Sequence, residues 1–472
     1  MRAVHWFRND LRLHDNTALN AALARADELV PVFVFDDHLL AAIHRSPPRT
    51  RFLLDCVARL AADLARRGCP LVVRRGDPVD EIPRLLSETG AELLTFNRDY
   101  SPYAKRRDAR VRARARGVGA AAEDHKDRVV FEDGELRTQA GRGFLVYTPF
   151  RNRWIARYRA EPPPPLRLRR LPKPVPGIAS EPLPGTGMLG ADGDATVLPT
   201  GGEVAARARL ARFLAGAVRH YARDRDRPAV DGTSRLSPYL RFGAVSPRQC
   251  VHDALALARC EPRAAAGARK WIDELVWREF YIALLDAHPH VLRHAFRPEF
   301  DRLRWNDDPA ALRAWRAGRT GYPFVDAAMR QLVQTGWVHN RARMIVASFL
   351  SKDLLLDWRL GEGVFMRHLI DGEPASNNGG WQWSASTGTD AQPYFRIFNP
   401  VLQGERFDPG GDYVRRYVPE VRGVPTRFVH RPWEALSPPR DYPPPIVDHA
   451  ERRVLAVARY EAARAERRGA KR

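Results

Sequence analysis

Alternation between short apolar runs and longer amphipathic segments constrains this chain most. The runs fall at 3–7, 29–35, 71–74 and 92–96, and the segments between and after them at 16–26, 49–67, 79–88 and 104–116. The first set has the length of buried strands, the second the length and period of helices. Over 49–67, Phe52, Cys56, Leu60 and Leu64 share one helical face. Strands and helices alternating at this size form a parallel sheet with helices on both sides. Ligands of such sheets gather at the carboxyl ends of strands, which here hold Arg8-Asn-Asp, Asp36-Asp and Asn97-Arg-Asp. No GxGxxG follows the first run, so the dinucleotide fingerprint is excluded.

The pattern breaks between 161 and about 200, where prolines accumulate; Pro162 to Pro165 can neither continue a helix nor donate a hydrogen bond. Beyond 201 the period becomes helical, clearest at 203–223, 247–258, 263–287, 309–317, 323–336, 339–350 and 365–370, with no strand signal. The expected fold is α/β plus all-α. A doubly wound parallel-sheet domain occupies 1–130, an interdomain linker 131–200, and a helical domain 201–472. A chain of 472 residues agrees with two domains. The charged segment 451–472 reads as a peripheral helix with a frayed end.

Lys and Arg total 77 against 56 Asp and Glu, a net charge of +21. That excess favours a polyanionic partner, although helices rich in Ala and Arg produce it too. Cys56, Cys69, Cys250 and Cys260 form no CxxC pair and read as buried free thiols in a reducing compartment. No metal-ligand cluster stands out. The start, Met1-Arg-Ala-Val-His-Trp, is no signal peptide, and no apolar run reaches the length of a membrane span. A cytoplasmic protein without membrane contact, expected as a monomer, follows.

Chemistry concentrates in Asp371-Gly-Glu-Pro-Ala-Ser-Asn-Asn-Gly-Gly-Trp-Gln-Trp383. It reads as a short irregular segment in which Gly379 and Gly380 allow positive φ and close approach to a planar ligand. Asn377 and Asn378 offer amide donors and acceptors, and Trp381 and Trp383 offer large faces. A tight turn between buried helices would explain the same run. A second cluster, Asp231-Gly-Thr-Ser-Arg-Leu-Ser237, crowds hydroxyls and backbone N–H groups before a helix. That suits phosphate, or an ordinary helix cap. A third, Trp271-Ile-Asp-Glu-Leu-Val-Trp-Arg-Glu-Phe-Tyr281, sets Trp271, Glu274, Trp277 or Arg278, and Tyr281 at helical steps. A carboxylate inside an aromatic stripe must be hydrogen-bonded or protonated if buried.

Together with Trp6-Phe-Arg-Asn-Asp-Leu-Arg-Leu-His-Asp-Asn16, Thr320-Gly-Tyr-Pro-Phe-Val-Asp326, Thr335-Gly-Trp-Val-His-Asn-Arg341 and Ser386-Thr-Gly-Thr-Asp390, these motifs closely resemble the photolyase/cryptochrome family, nearest its bacterial cyclobutane-dimer enzymes. The likeness spans nearly the whole chain and is weakest over 160–200 and at the C-terminus. It implies light-dependent repair of cyclobutane pyrimidine dimers in UV-damaged DNA, by electron transfer from photoexcited FADH⁻ to the flipped-out dimer. The alternative within the family is a blue-light signalling cryptochrome without repair.

The resemblance also implies roles. Tyr221, Thr233, Ser234, Arg235, Leu236, Ser237 and Trp271 match FAD contacts, as do Arg343, Asp371, Gly372, Glu373 and Asn377, the last facing the flavin N5. Arg343 and Asp371 match a salt-bridged pair. The family usually reads Asp-Gly-Asp where this chain reads Asp371-Gly372-Glu373. Glu274, Trp277, Asn340, Met344 and Asn377 match the repair site, with Asn340 and Met344 replacing the histidines of (6-4) enzymes. His339 reads as structural. Trp305, Trp358 and Trp381 match the electron relay, although three core tryptophans fit the residues equally well. Arg225, Arg278, Arg341, Tyr281, Trp383 and Gln403, with Glu274, Trp277 and Asn340, match the DNA-contacting set. The segment Asn97-Arg-Asp-Tyr-Ser-Pro-Tyr-Ala-Lys-Arg-Arg-Asp108 resembles deazaflavin-binding members, which implies 8-hydroxy-5-deazaflavin as the antenna; Tyr103 and Ala104 stand where folate binders carry an Asn-Glu pair, and methenyltetrahydrofolate, FMN or none remain the alternatives.

Overall fold

In the computed structural model, which describes residues 1–43 and 46–469, the apolar runs of the first third pair as parallel strands. They are β1 (Arg2–Phe7), β2 (Glu28–Asp36), β3 (Val72–Gly76) and β4 (Leu93–Asn97), joined by β5 (Ala121–His125) in the order β3-β2-β1-β4-β5. β1 is central: Val4 lies beside Val30 on one side and Leu94 on the other, and residues 3–7 are all buried. A strand covered on both faces needs a continuous apolar run, which is what made it visible. β5 reads Ala-Ala-Glu-Asp-His, lies at the edge and stays partly exposed, so no apolar run announced it.

Two compact units make up the chain. One takes Met1–Asp194, Leu198–Arg219 and Ser234–Pro289; the other takes Ala195–Val197, His220–Thr233 and His290–Arg472. The first therefore includes the helices Pro247–Cys260 and Pro262–Ala287 as well as the sheet. Buried charge fixes them there. Arg248 reaches Asp15 Oδ1 at 2.9 Å and Asp127 Oδ1 at 3.2 Å, and Arg12 reaches Asp127 at 2.7 Å. Removing one partner would strand another charge in a low-dielectric interior. Glu279 does similar work: its carboxylate accepts from Val130 N, Phe131 N and Trp154 Nε1 at 2.9 to 3.1 Å.

The region expected to be linker contains the helix Tyr147–Ala160, whose Phe150, Trp154 and Tyr158 are buried. After it the chain runs extended over the same unit. Its two-residue strand β6 (Lys173–Pro174) pairs with the start of β2, and Glu181 N donates to Val73 O. Proline opens many helices of the chain, among them Pro47, Pro78, Pro102, Pro247, Pro262, Pro309, Pro323, Pro374 and Pro400. At the first helical position its missing N–H has no partner to lose.

The second unit is helical among its described residues. Pro323–Thr335, Asn340–Ser348, Trp358–His368 and Pro374–Ser384 pack on a core that includes Phe324, Leu332, Ile345, Phe349 and Trp315. The helix from His449 crosses this unit too, and Tyr460 Oη donates to Ala385 O. The expected frayed end, 470–472, lies outside the described residues. The thiol expectation needs one correction: Cys56, Cys69 and Cys250 are buried, but Cys260 is exposed at the end of its helix. No helix among the described residues is long and apolar enough to cross a membrane, and no group of potential metal ligands occurs among them.

Candidate functional site

From Pro374 onward the run at 371–383 is a helix, not an irregular segment: Pro374–Ser384 is α-helical, and neither Gly379 nor Gly380 has positive φ. The Glu373 carboxylate caps it, accepting from Ser376 N at 2.9 Å and Ser376 Oγ at 3.1 Å. Glu thus has a definite task where the family favours Asp, because either side chain can satisfy an orphan N–H of the first turn. Asn377 and Asn378 are consecutive and so leave the helix in different directions. Asn378 is held from three sides: Nδ2 donates to Val291 O at 3.0 Å and Glu362 Oε1 at 3.1 Å, and Oδ1 accepts from Gln382 Nε2 at 3.1 Å.

Asn377 Nδ2 donates to the Glu362 backbone oxygen at 3.2 Å, which leaves Oδ1 as the amide's open acceptor. Glu362 lies on the helix Trp358–His368 and thereby steadies both asparagines. Burial pushes its carboxyl up to about 7, against the opposing pull of the Asn378 donor. Arg343 Nη2 donates to Asp371 Oδ2 at 2.8 Å, while Asp371 Oδ1 is buried without a hydrogen-bond partner. A buried acceptor without a donor is uncommon and needs a reason. Two open acceptors, on Asp371 and Asn377, fit a ring system that carries N–H groups, as reduced FAD does.

Trp381 and Trp358 are fully buried, and Trp305 is partly exposed. The Trp381 ring lies so close to Gly361 that a Cβ there would overlap it, which ties the two helices together. The rings in edge contact with Trp381 are Phe365 and Trp315. Trp315, whose N–H donates to Val346 O at 3.2 Å, had no motif to announce it. Asn340 and Met344 meet on one face, with Nδ2 to Sδ at 3.8 Å. His339 is buried and caps their helix, accepting from Arg341 N at 3.2 Å. Arg341 Nη2 bonds Asp226 at 2.7 Å and lies over Phe407, and Arg225 comes within 3.9 Å of the same carboxylate over the Tyr221 ring. Asp226 was invisible as a partner in the sequence. Trp383 and Gln403 are partly exposed, Gln403 on the helix Pro400–Phe407.

In the first unit, Ser234 Oγ accepts from Trp271 Nε1 at 3.2 Å and Leu236 N at 3.4 Å. Arg235 takes φ +49, a left-handed conformation unusual outside glycine. The helix starting at Ser237 runs only to Arg241, so its end charge is smaller than a long helix would give. Thr233 lies at a bend and Gly372 in the irregular residues just before the helix Pro374–Ser384, both in the second unit. Trp271 is buried against Phe213, whereas Glu274, Trp277 and Tyr281 are partly exposed along the same helix. Arg278 donates to Arg128 O at 2.6 Å and Leu240 O at 3.4 Å, so part of its donor capacity is spent on backbone.

At the strand ends of this unit, Tyr103 Oη donates to Asp36 at 2.7 Å and stacks on His38 at 4.3 Å. Arg107 joins Asp36 at 3.1 Å and Asp108 at 2.9 Å, and Arg8 joins Asp108 at 2.6 Å.

The chain belongs to the DNA photolyase family: the model for DNA photolyase matches residues 3–167, and that for the FAD binding domain of DNA photolyase matches 271–462. A curated relative, the deoxyribodipyrimidine photo-lyase of Escherichia coli strain K12, is 44% identical over 97% of this chain and 98% of its own. Among solved structures, a class III photolyase from Agrobacterium tumefaciens superposes with TM-score 0.86 at 36% identity, covering 98% of both chains. A cryptochrome from Synechocystis sp. PCC6803 superposes with TM-score 0.89 at 29% identity, covering 97% of this chain and 98% of its own.

Proposed function

We propose that this protein is a light-driven lyase that splits cyclobutane pyrimidine dimers in UV-damaged DNA. The observation that carries this reading is the full-length likeness to a deoxyribodipyrimidine photo-lyase at 44% identity. When bound, reduced FAD supplies the absorption of light and the electron that opens the dimer and is afterwards recovered. The chain's own residues orient, enclose and stabilise. Arg343, Asp371, Gly372 and Glu373 would hold the flavin; Tyr221, Trp271, Thr233, Ser234, Arg235, Leu236 and Ser237 are read as further FAD contacts. Asn377, pinned by the Glu362 carbonyl, presents its oxygen as an acceptor and adds no charge.

Glu274 hydrogen-bonds the flipped bases and Trp277 stacks on them. Asn340 and Met344 are read as further repair-site residues. Flipping costs less for a dimer, which already distorts its stack. Arg225, Arg278, Arg341, Tyr281, Trp383 and Gln403 engage the DNA. Trp381, Trp358 and Trp305 are the indoles that would relay electrons to an oxidised flavin. Residues 1–130 carry the antenna, proposed as 8-hydroxy-5-deazaflavin, 131–200 link, and 201–472 carry FAD and repair. The protein works as a cytoplasmic monomer.

The likeness to a cryptochrome favours a second reading, light signalling without repair. Oligonucleotides carrying either a cyclobutane thymine dimer or a (6-4) photoproduct separate the possibilities. Under blue light the reduced protein should remove the dimer and leave the (6-4) lesion; neither should change in the dark. Persistence of both lesions in light would favour signalling. Extraction of the native protein tests the antenna, and a bound pterin would overturn the deazaflavin.

A further inference from the structure

We propose that Tyr147 is a positioning residue for base capture: it backs one face of the Trp277 indole and so holds the other face as a flat platform. The inference rests on the reading that Trp277 receives the flipped bases, and names what prepares it to do so. The two rings lie face to face, with centroids 3.5 Å apart and planes 7° from parallel. Tyr147 is buried at the first position of the helix Tyr147–Ala160, whereas Trp277 is partly exposed. With Tyr147 on one side, only the opposite face of the indole can take a base.

The backing ring is itself anchored to the helix that carries Trp277. Tyr147 Oη donates to Asp273 O at 2.7 Å, one turn before Trp277 on Pro262–Ala287. Arg151, one turn after Tyr147, reaches Asp273 Oδ1 at 2.5 Å. Phe280 meets the edges, at 5.7 Å and 79° to Trp277 and at 6.0 Å and 73° to Tyr147. Edge contacts are the usual way core aromatics pack; a full overlap is less favoured, and it fixes the tilt of a ring as an edge contact does not. A partly exposed indole without this backing would sample several rotamers, and a base stacking on it would have to order it first.

The test measures binding in the dark of the FAD-loaded protein to dimer-containing and undamaged oligonucleotides. Tyr147→Leu keeps apolar volume without a flat face, and Tyr147→Phe keeps the face without the hydroxyl. Tyr147→Leu should weaken dimer binding about three- to tenfold, the range expected for ordering one side chain, and leave binding of undamaged DNA unchanged. Tyr147→Phe, which keeps the stacked face and loses only the hydroxyl anchor, should weaken dimer binding less than Tyr147→Leu does, and repair per photon absorbed by the bound complex should be the same in all. Wild-type affinity in Tyr147→Leu, an equal loss for undamaged DNA, or an equal loss in Tyr147→Phe would overturn the inference. Trp277→Ala separates the two levels. If it too keeps full dimer affinity, the base-capture reading itself fails; if it loses affinity while Tyr147→Leu does not, only the role of Tyr147 fails.

Discussion

Glu373 shows how a substitution at a cofactor motif can be understood from its backbone task. Its carboxylate caps the helix Pro374–Ser384 through Ser376 N, so Glu373→Asp should preserve both stability and FAD retention. Glu373→Ala should cost about 1 kcal/mol, read by denaturant unfolding, because the first turn loses its acceptor. Lys352 makes a sharper prediction. It is fully buried, and Nζ donates to Ser386 Oγ at 2.8 Å. Burial lowers its amine from 10.5 to about 7. Between those two values the unfolded chain holds a proton that the native state lacks, so this residue makes stability rise with pH across that window. Below it both states are charged and the native one bears the full burial penalty. Lys352→Met should therefore flatten the climb by up to about 1.4 kcal/mol per pH unit, measured as unfolding free energy from pH 7 to 10. An unchanged slope would mean that the buried amine keeps its charge.

Elements were legible where burial leaves a pattern and illegible where it does not. β1, β2 and β4 announced themselves as apolar runs because a strand covered on both faces has no polar alternation, whereas β3 at the end of the order buries only Val72 and Val73. Pro374–Ser384 did not, since Asn, Gly, Trp and Ser are poor helix formers. Its cap, its opening proline and the burial of Asn378, Trp381 and Gln382 override those propensities. The Glu-Pro pair before it was the one local sign available. Asn377 was found by its motif, but Glu362, which holds it, lies on another helix, and no spacing rule links the two. Tyr147 and Asp226 were missed for the same reason. The proposed relay through Trp381, Trp358 and Trp305 would depend on these packed elements. Trp381→Phe should slow light-driven reduction of bound oxidised FAD severalfold while leaving chemically reduced enzyme active; unchanged photoreduction would refute the relay.

At the scale of the whole molecule, a net charge of +21 favours binding to a polyanion and makes that binding salt-dependent. Affinity for dimer-containing DNA should fall linearly on a plot of its logarithm against that of salt concentration. Arg225→Gln should lessen the slope by about 1 if that arginine meets a phosphate. Its effect should be uniform across sequences, since phosphate contacts carry no base information. Buried pairs such as Arg12 with Asp127 lie in the interior and should not contribute to it. The central claim is that light cleaves the dimer with no net change in the flavin. Its most direct measurement is anaerobic irradiation of the fully reduced holoprotein with a thymine-dimer oligonucleotide, following dimers and the flavin absorption spectrum together. Dimers should disappear over many turnovers while the spectrum stays that of the reduced cofactor. Dimers that persist, or flavin oxidised one for one with those removed, would contradict it.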